Sequence, residues 1–361
     1  MSDVYQNLAK HLDRLPGGFP ATESGVEIRI LKHLFSPEEA ELTVCLNIIP
    51  EAPEAVAART GMDAEAIATM LEQMSRKGLI YRSGKGNKKA YSAAMFIMGI
   101  WEAHCNDLTE GLVRDYNAYL PQIHMKSWMK SKTNHKRVIP VSAKIVPELN
   151  ILSYNDAEAL IKSQKKIVLG TCICRKEQLL IGEGCAGPLD VCLFFGGIAV
   201  YFEENNLGRG VSVEEALEAL ERGRKAGLVL QPDNSQNPST LCMCCGCCCL
   251  FLRNIKAMDK PGRYVHTSYY AQVNEEECIA CGGCADRCHM DAITVEQTAS
   301  VNPDRCIGCG VCVTDCPTGA MLYKQKEKSD QYVPPVNTFE AFMNMAVERG
   351  KNKTIGSGTI D

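Results

Sequence analysis

The period of the apolar positions changes along this chain, and each change marks an element. VEIRILKHLF (26–35) carries its apolar residues at helical spacing. SPEEAELTVCL (36–46) opens on Ser36 as an N-cap, with Pro37 at the first helical position and Glu38 and Glu39 in the first turn, so a second helix is predicted there. PEAVAARTG and MDAEAIATMLEQMSRKGLIYR read as two more helices with a tight turn at Gly61 between them. LIYR and AYSA then flank a Gly-rich turn and read as a hairpin. Ahead of all this lies a polar, helix-like start that ends in LPGGFPATESG. After residue 96 the chain reads as helical, then basic (KSWMKSKTNHKR), then extended (VIPVSAKIVP). KKIVLG reads as a buried strand, and Ser212 with Glu215 forms a capping box before a helix that Gly227 can close. DAITVE and GAMLYK read as short strands, and TFEAFMNMAVERG as a short amphipathic stretch in the tail.

These elements group into six segments: an N-terminal helical segment (1–24), a helix-and-hairpin domain (25–95), a helical and basic connector (96–150), a cysteine-rich α/β middle domain (151–265), a C-terminal module (266–328) and a tail (329–361). The expected fold class is multidomain α+β. Helix, tight turn, helix and hairpin in 25–95 resemble a winged helix-turn-helix. DNA is not the expected partner, because a DNA-reading helix presents base- and phosphate-contacting side chains in its N-terminal half. Here that half runs from Asp63 through Glu65 to Met70 and is small, apolar and acidic, although the hairpin is basic at Arg82, Lys85, Lys88 and Lys89. A protein-docking or scaffolding role is expected instead.

Composition sharpens the picture at one point. The chain has 361 residues, 45% of them apolar, and a formal net charge of −4, which demands neither nucleic acid nor a membrane surface. Its 20 cysteines are distributed very unevenly: Cys45 and Cys105 stand alone early, and all others fall between Cys172 and Cys316. Disulfide staples belong to oxidising compartments. The start, MSDVYQNLAKHLDR, shows neither a basic segment followed by an apolar one nor a twin arginine. The longest apolar stretch, Val191 to Phe202, is too short to span a bilayer. The expectation is a cytoplasmic protein without membrane insertion, whose clustered, reduced thiols are metal ligands. The run Lys126, Lys130, Lys132, Lys136 and Arg137, which includes Trp128, reads as a solvated surface loop or as a docking patch for an acidic redox partner.

Two cysteine runs repeat the spacing C-x2-C-x2-C-x3-C: Cys278, Cys281, Cys284, Cys288, and Cys306, Cys309, Cys312, Cys316 followed by Pro317. A cubane has four iron corners, and two intervening residues let the backbone curl round to reach three of them. Gly282, Gly283, Gly308 and Gly310 are expected to supply the dihedrals of so tight a wrap. The runs resemble those of bacterial-type ferredoxins with two [4Fe–4S] clusters, in which the fourth cysteine of each run ligates the other cluster. That resemblance implies one cluster on Cys278, Cys281, Cys284 and Cys316, and another on Cys288, Cys306, Cys309 and Cys312. His289 stands where the first run would normally carry proline. Zinc, which uses C-x2-C pairs separated by longer loops, fits this spacing poorly.

Ten further cysteines fill the middle domain. Cys172, Cys174, Cys185 and Cys192 form one set in sequence; Cys242, Cys244, Cys245, Cys247, Cys248 and Cys249 form another. The pattern CxCR, C, C, CxCCxCCC resembles a domain of iron–sulfur proteins of anaerobes that is fused to ferredoxin modules. This implies one or two additional [4Fe–4S] clusters on Cys172, Cys174, Cys185, Cys192, Cys242, Cys244, Cys245, Cys247 and Cys248. Zinc, copper(I) and redox thiols are the other readings of so many soft ligands. Adjacent cysteines cannot all serve one metal, so some serve a second site, and one or two are packing residues. Arg175 is placed to donate to cluster sulfur or balance thiolate charge. Gly182, Gly184 and Gly187 satisfy G-x-G-x-x-G, but Pro188 follows at once, so no nucleotide is expected there.

The expected function is therefore electron transfer, as a component rather than a catalyst. Electrons would pass through two ferredoxin clusters and the middle-domain site to a partner oxidoreductase. An oxidoreductase with a catalytic middle-domain cluster and a redox-sensing transcriptional regulator are the alternatives.

Overall fold

The computed structural model describes residues 3–142 and 151–351. They divide into two compact units, one drawn from Met1–Thr133, Tyr201–Leu207 and Phe342–Asp361, the other from Asn134–Val200 and Gly208–Ala341. The end of the expected extended stretch VIPVSAKIVP, from residue 143 on, lies outside the described residues.

The first unit contains α1 (Val4–Arg14), α2 (Val26–Leu34), α3 (Pro37–Val44), α4 (Pro53–Thr60), α5 (Ala64–Arg76), β1 (Ile80–Ser83), β2 (Ala90–Ala93), α6 (Trp101–Ala103) and α7 (Glu110–Lys126). Local chemistry sets the boundaries. Ser36 Oγ accepts from Glu39 N at 3.2 Å while Glu39 Oε2 accepts from Ser36 N at 2.9 Å, so two orphan donors of α3 are satisfied reciprocally. Gly61 ends α4 at φ 71°, a left-handed conformation that costs glycine little. Trp101 and Tyr116 stack at 3.7 Å in the core, beside Phe19, Phe96 and Tyr119.

Beyond α5 the antiparallel hairpin β1–β2 is anchored by one carboxylate. Glu72 accepts from Arg82 at 3.0 Å, Lys89 at 3.1 Å and the Tyr91 hydroxyl at 2.9 Å. Arg82 also pairs with Glu204 at 2.7 Å, and its side chain is buried. Two of the four basic side chains of this hairpin thus serve the fold.

The second unit begins with α8 (Ala157–Lys162), β3 (Ile167–Thr171), α9 (Ile173–Leu180), β4 (Asp190–Phe195) and the start of α10 (Gly196–Glu204), whose residues from Tyr201 on belong to the first. It continues with β5 (Gly208–Gly210), α11 (Val213–Lys225), β6 (Val229–Pro232), β7 (Thr240–Cys244) and α12 (Leu250–Lys256). The five strands form one sheet in the order β5-β3-β4-β7-β6, every neighbouring pair antiparallel. α11, closed at its start by the Ser212–Glu215 capping box, packs on β3, β4 and α8. The apolar run from Val191 is broken at Gly196 (φ 58°), where β4 gives way to α10.

The same unit holds β8 (Tyr269–Val273), α13 (Gly283–Asp286), β9 (Ile293–Val295), β10 (Ala299–Val301), α14 (Val311–Thr314) and β11 (Met321–Gln325); α15 is Thr338–Glu348. β8 pairs with β11 and β9 with β10, both antiparallel.

The basic run is not the solvated loop expected from its composition. Lys126, Lys130 and Lys132 are exposed, but Trp128, Lys136 and Arg137 are buried. Lys136 pairs with Asp233 at 2.8 Å, and Arg137 donates to Asn155 Oδ1 at 2.7 Å and to the Ser235 carbonyl at 3.1 Å. A charge run reads as surface because composition cannot show counter-charges that are distant in sequence.

Candidate metal centres

The C-terminal module repeats itself in backbone detail. Left-handed φ occurs at Ala280 (52°), Gly282 (83°) and Asp291 (50°) of the first run, and at the equivalent Gly308 (64°), Gly310 (76°) and Gly319 (74°) of the second. Gly282 and Gly310 cap the short helices α13 and α14. Gly283, expected among the special glycines, lies inside α13; Ala280 takes the strained position instead.

Cys278, Cys281, Cys284 and Cys316 line one cavity of about 370 Å³, counted with its open mouth. Cys288, Cys306, Cys309 and Cys312 line a second of about 400 Å³. Both pack against one small core of Ala271, Ile293, Ala299, Cys312 and Met321. Backbone N–H groups reach the sulfurs: Ala299 N donates to Cys278 Sγ at 3.3 Å and Ala292 N to Cys288 Sγ at 3.2 Å. Burial raises the Cys316 thiol, but N–H groups of Met321, Thr318 and Ala320 and the Thr318 hydroxyl outweigh it, and the net shift is downward. Burial pushes the Cys309 thiol up to about 12. Four sulfurs around each cavity, several of them near backbone donors, fit a [4Fe–4S] cluster.

The ten middle-domain cysteines divide into two groups that cut across their order in sequence. Six belong to a ring. Each thiol interacts electrostatically with its neighbours in the order Cys172, Cys174, Cys249, Cys244, Cys242, Cys192 and back to Cys172. Sheet register explains the assembly. Cys192 on β4 lies directly opposite Cys242 on β7 and Gly170 on β3, and Cys244 follows two residues later on the same face of β7. Cys172 and Cys249 sit at the N-caps of α9 and α12, where backbone N–H groups of Arg175, and of Leu252 and Phe251, reach their sulfurs. Cys249, absent from the ligand set expected from sequence, is a full member of this ring.

The second group is Cys185, Cys245, Cys247 and Cys248, whose sulfurs all lie within 4.8 Å of one another. Chain alternation separates the groups: Cys244 faces the ring, and Cys245, the next residue, faces the tetrad. Arg175 lies beside both. Its Nε donates to Cys185 Sγ and its Nη2 to Cys245 Sγ, each at 3.3 Å, and its charge also acts on Cys172. The hydrogen bond from Cys248, helped by Arg175, pulls the Cys245 thiol down to about 3.

The ring and the C-terminal module share one core. Cys244, Cys249, Val229 and Leu252 pack with Met290, Ala292, Ile307 and Val311, and Cys242, Cys288, Cys306 and Cys309 pack against the same cluster. His289 joins the two parts. Its Nε2 donates to the Gly227 carbonyl at 2.7 Å and its Nδ1 accepts from Gly246 N at 3.2 Å, which together select the neutral Nε2–H tautomer. A Cβ at Gly246 would collide with the His289 carbonyl, so the cysteine-rich turn approaches this closely only as glycine. Lys136 extends to the ring's other flank, where its charge acts on Cys242 and Cys244.

No helix among the described residues is long and apolar enough to cross a membrane. No curated protein and no solved structure matches the chain. Residues 271–322 match the family described as 4Fe-4S dicluster domain, and this part of the chain is a ferredoxin-like iron–sulfur module.

Proposed function

We propose that this chain is an electron-transfer protein in which the dicluster module connects a partner redox protein to a further iron–sulfur centre on the six-cysteine ring. The observation that carries the proposal is the shared core between Cys288, Cys306 and Cys309 on one side and Cys242, Cys244 and Cys249 on the other. When bound, the clusters supply one-electron carriers. The chain supplies the order of the sites. Cys281 is exposed and nearby Ile279 is 64% exposed, which supports the cavity of Cys278, Cys281, Cys284 and Cys316 as the side where a partner docks. The cavity of Cys288, Cys306, Cys309 and Cys312 is flanked by the core shared with the ring, and apolar side chains keep water out of the step between them. Lys136 and Arg175 place positive charge beside the ring thiolates. Backbone donors at Cys172 and Cys249 stabilise the anionic sulfurs in the same way.

Electron paramagnetic resonance of the anaerobically purified, dithionite-reduced protein tests this. Spin–spin broadening beyond that of the dicluster pair is expected, and it should vanish in Cys242→Ser/Cys249→Ser. Identical spectra from the two proteins would refute a centre on the ring.

A further inference from the structure

Among the described residues the tetrad differs from the other thiol groups in how closely all its sulfurs approach one another. Cys185 Sγ lies 3.8 Å from Cys245 Sγ and 3.7 Å from Cys248 Sγ, and Cys247 Sγ lies 3.7 Å from Cys248 Sγ. Four thiolates around one tetrahedral ion, with metal–sulfur bonds of about 2.3 Å, stand about 3.8 Å apart. Four thiolates on a cubane stand roughly 6 Å apart, because each terminates on its own iron. The same structure provides both comparisons. Among the described residues the tetrad alone brings three or more metal-ligating atoms within 4.8 Å of one another. The eight dicluster cysteines line their two cavities, and neither they nor the six ring cysteines form such a group.

We propose that Cys185, Cys245, Cys247 and Cys248 bind a single tetrahedral metal ion of the zinc class, separate from the iron–sulfur centres. The proposal rests on the functional reading above only in leaving the six-cysteine ring to iron. Four thiolates on a divalent ion leave a net charge of about −2, and the wholly buried Arg175 offsets it through its bonds to Cys185 and Cys245. Gly187 completes the fit: a Cβ there would stand 3.0 Å from Arg175 Nε and 3.4 Å from Cys185 Sγ, crowding both. The ion ties the loop after α9 to the turn between β7 and α12. The neighbouring residues Cys244 and Cys249 belong to the ring, so the tetrad lies beside the ring without joining it.

The test uses the full chain, expressed anaerobically with zinc and iron both supplied. Zinc, iron and acid-labile sulfide are counted by plasma mass spectrometry and colorimetry in the parent, in Cys247→Ser/Cys248→Ser and in Cys242→Ser/Cys249→Ser. Loss of about one zinc with iron and sulfide unchanged is expected from the first variant. Loss of iron with zinc retained is expected from the second. Loss of about four irons and four sulfides from the first variant would overturn the proposal, as would no change in any metal. Should that variant not fold, zinc-edge X-ray absorption on the parent decides. Four sulfurs at about 2.3 Å with no iron neighbour support the single ion, and a shell with iron or without four sulfurs overturns it. A ring that holds no iron would appear in the second variant alone, so the two readings can fail separately.

Discussion

Lys136→Met removes one charge from a buried pair and leaves the other. The side chains of Lys136 and Asp233 are 4% and 3% exposed, and Nζ donates to Asp233 Oδ1 at 2.8 Å and to Thr240 Oγ1. Burial lowers the lysine's affinity for its proton, but Asp233 and the sulfurs of Cys242 and Cys244 more than compensate, so the ammonium is held firmly charged. Methionine fills similar volume without charge. Asp233 would keep its bonds from Ser239 N and Thr240 N, each at 2.9 Å, and from Thr240 Oγ1 at 2.6 Å, but lose its counter-ion. Breaking a buried pair from one side costs about 3–5 kcal/mol. The three surviving donors place the cost at the lower end, about 3 kcal/mol. For a unit of this size that corresponds to a fall in the thermal midpoint of about 6–12 °C, measured by circular dichroism under anaerobic conditions. Lys130→Met, an exposed lysine of the same basic run, should leave the midpoint unchanged. A fall below about 2 °C for Lys136→Met would place the pair among solvated ones and refute the reasoning.

Other expectations are as specific. His289→Pro restores the usual ferredoxin residue, yet it should weaken the join between module and middle domain by about 1–3 kcal/mol through two lost hydrogen bonds; hydrogen exchange at the Gly246 amide should speed up, and an unchanged rate would count against it. Ala280→Gly relieves a left-handed alanine and should raise stability slightly, by up to about 1 kcal/mol. Gly308→Ala, at the equivalent position, drives a Cβ into the Tyr269 carbonyl and should abolish binding of one cluster, seen as loss of about four irons. At Glu72 burial raises the carboxyl, but hydrogen bonds from Tyr91 and Lys89 and the charge of Arg82 bring it down to about 2. A depressed carboxylate contributes stability that is full above its unfolded value of 4.5 and is lost as pH falls towards 2. Acid titration of the midpoint should therefore show a decline across that window that Glu72→Gln removes.

The C-terminal module was legible in the sequence because the first three cysteines of each run wrap locally; that each fourth cysteine crosses to the other cavity came from the resemblance to two-cluster ferredoxins. The helix starts at Ser36 and Ser212 were legible for the same reason, since a capping box closes within four residues. The partition of the middle-domain cysteines was not. It depends on the β4–β7 register that sets Cys192 opposite Cys242, and on the turn that sends Cys249 back to the ring while Cys245, Cys247 and Cys248 leave it. The signal for two sites was present in the adjacent cysteines, but not which residue serves which. Lys136 and Arg137 were misread because their partners are remote, Asp233 lying 97 positions from Lys136. His289 looked like a departure from a pattern, and its reason lies in Gly227 and Gly246 of another part of the unit.

The most direct measurement is iron and acid-labile sulfide per chain in the anaerobically purified protein, beside the Cys242→Ser/Cys249→Ser variant. At least about twelve irons are expected in the parent, falling to about eight in the variant with the dicluster signals intact. About eight in both would mean that the six-cysteine ring holds no cluster, and would contradict a relay that runs beyond the ferredoxin-like module.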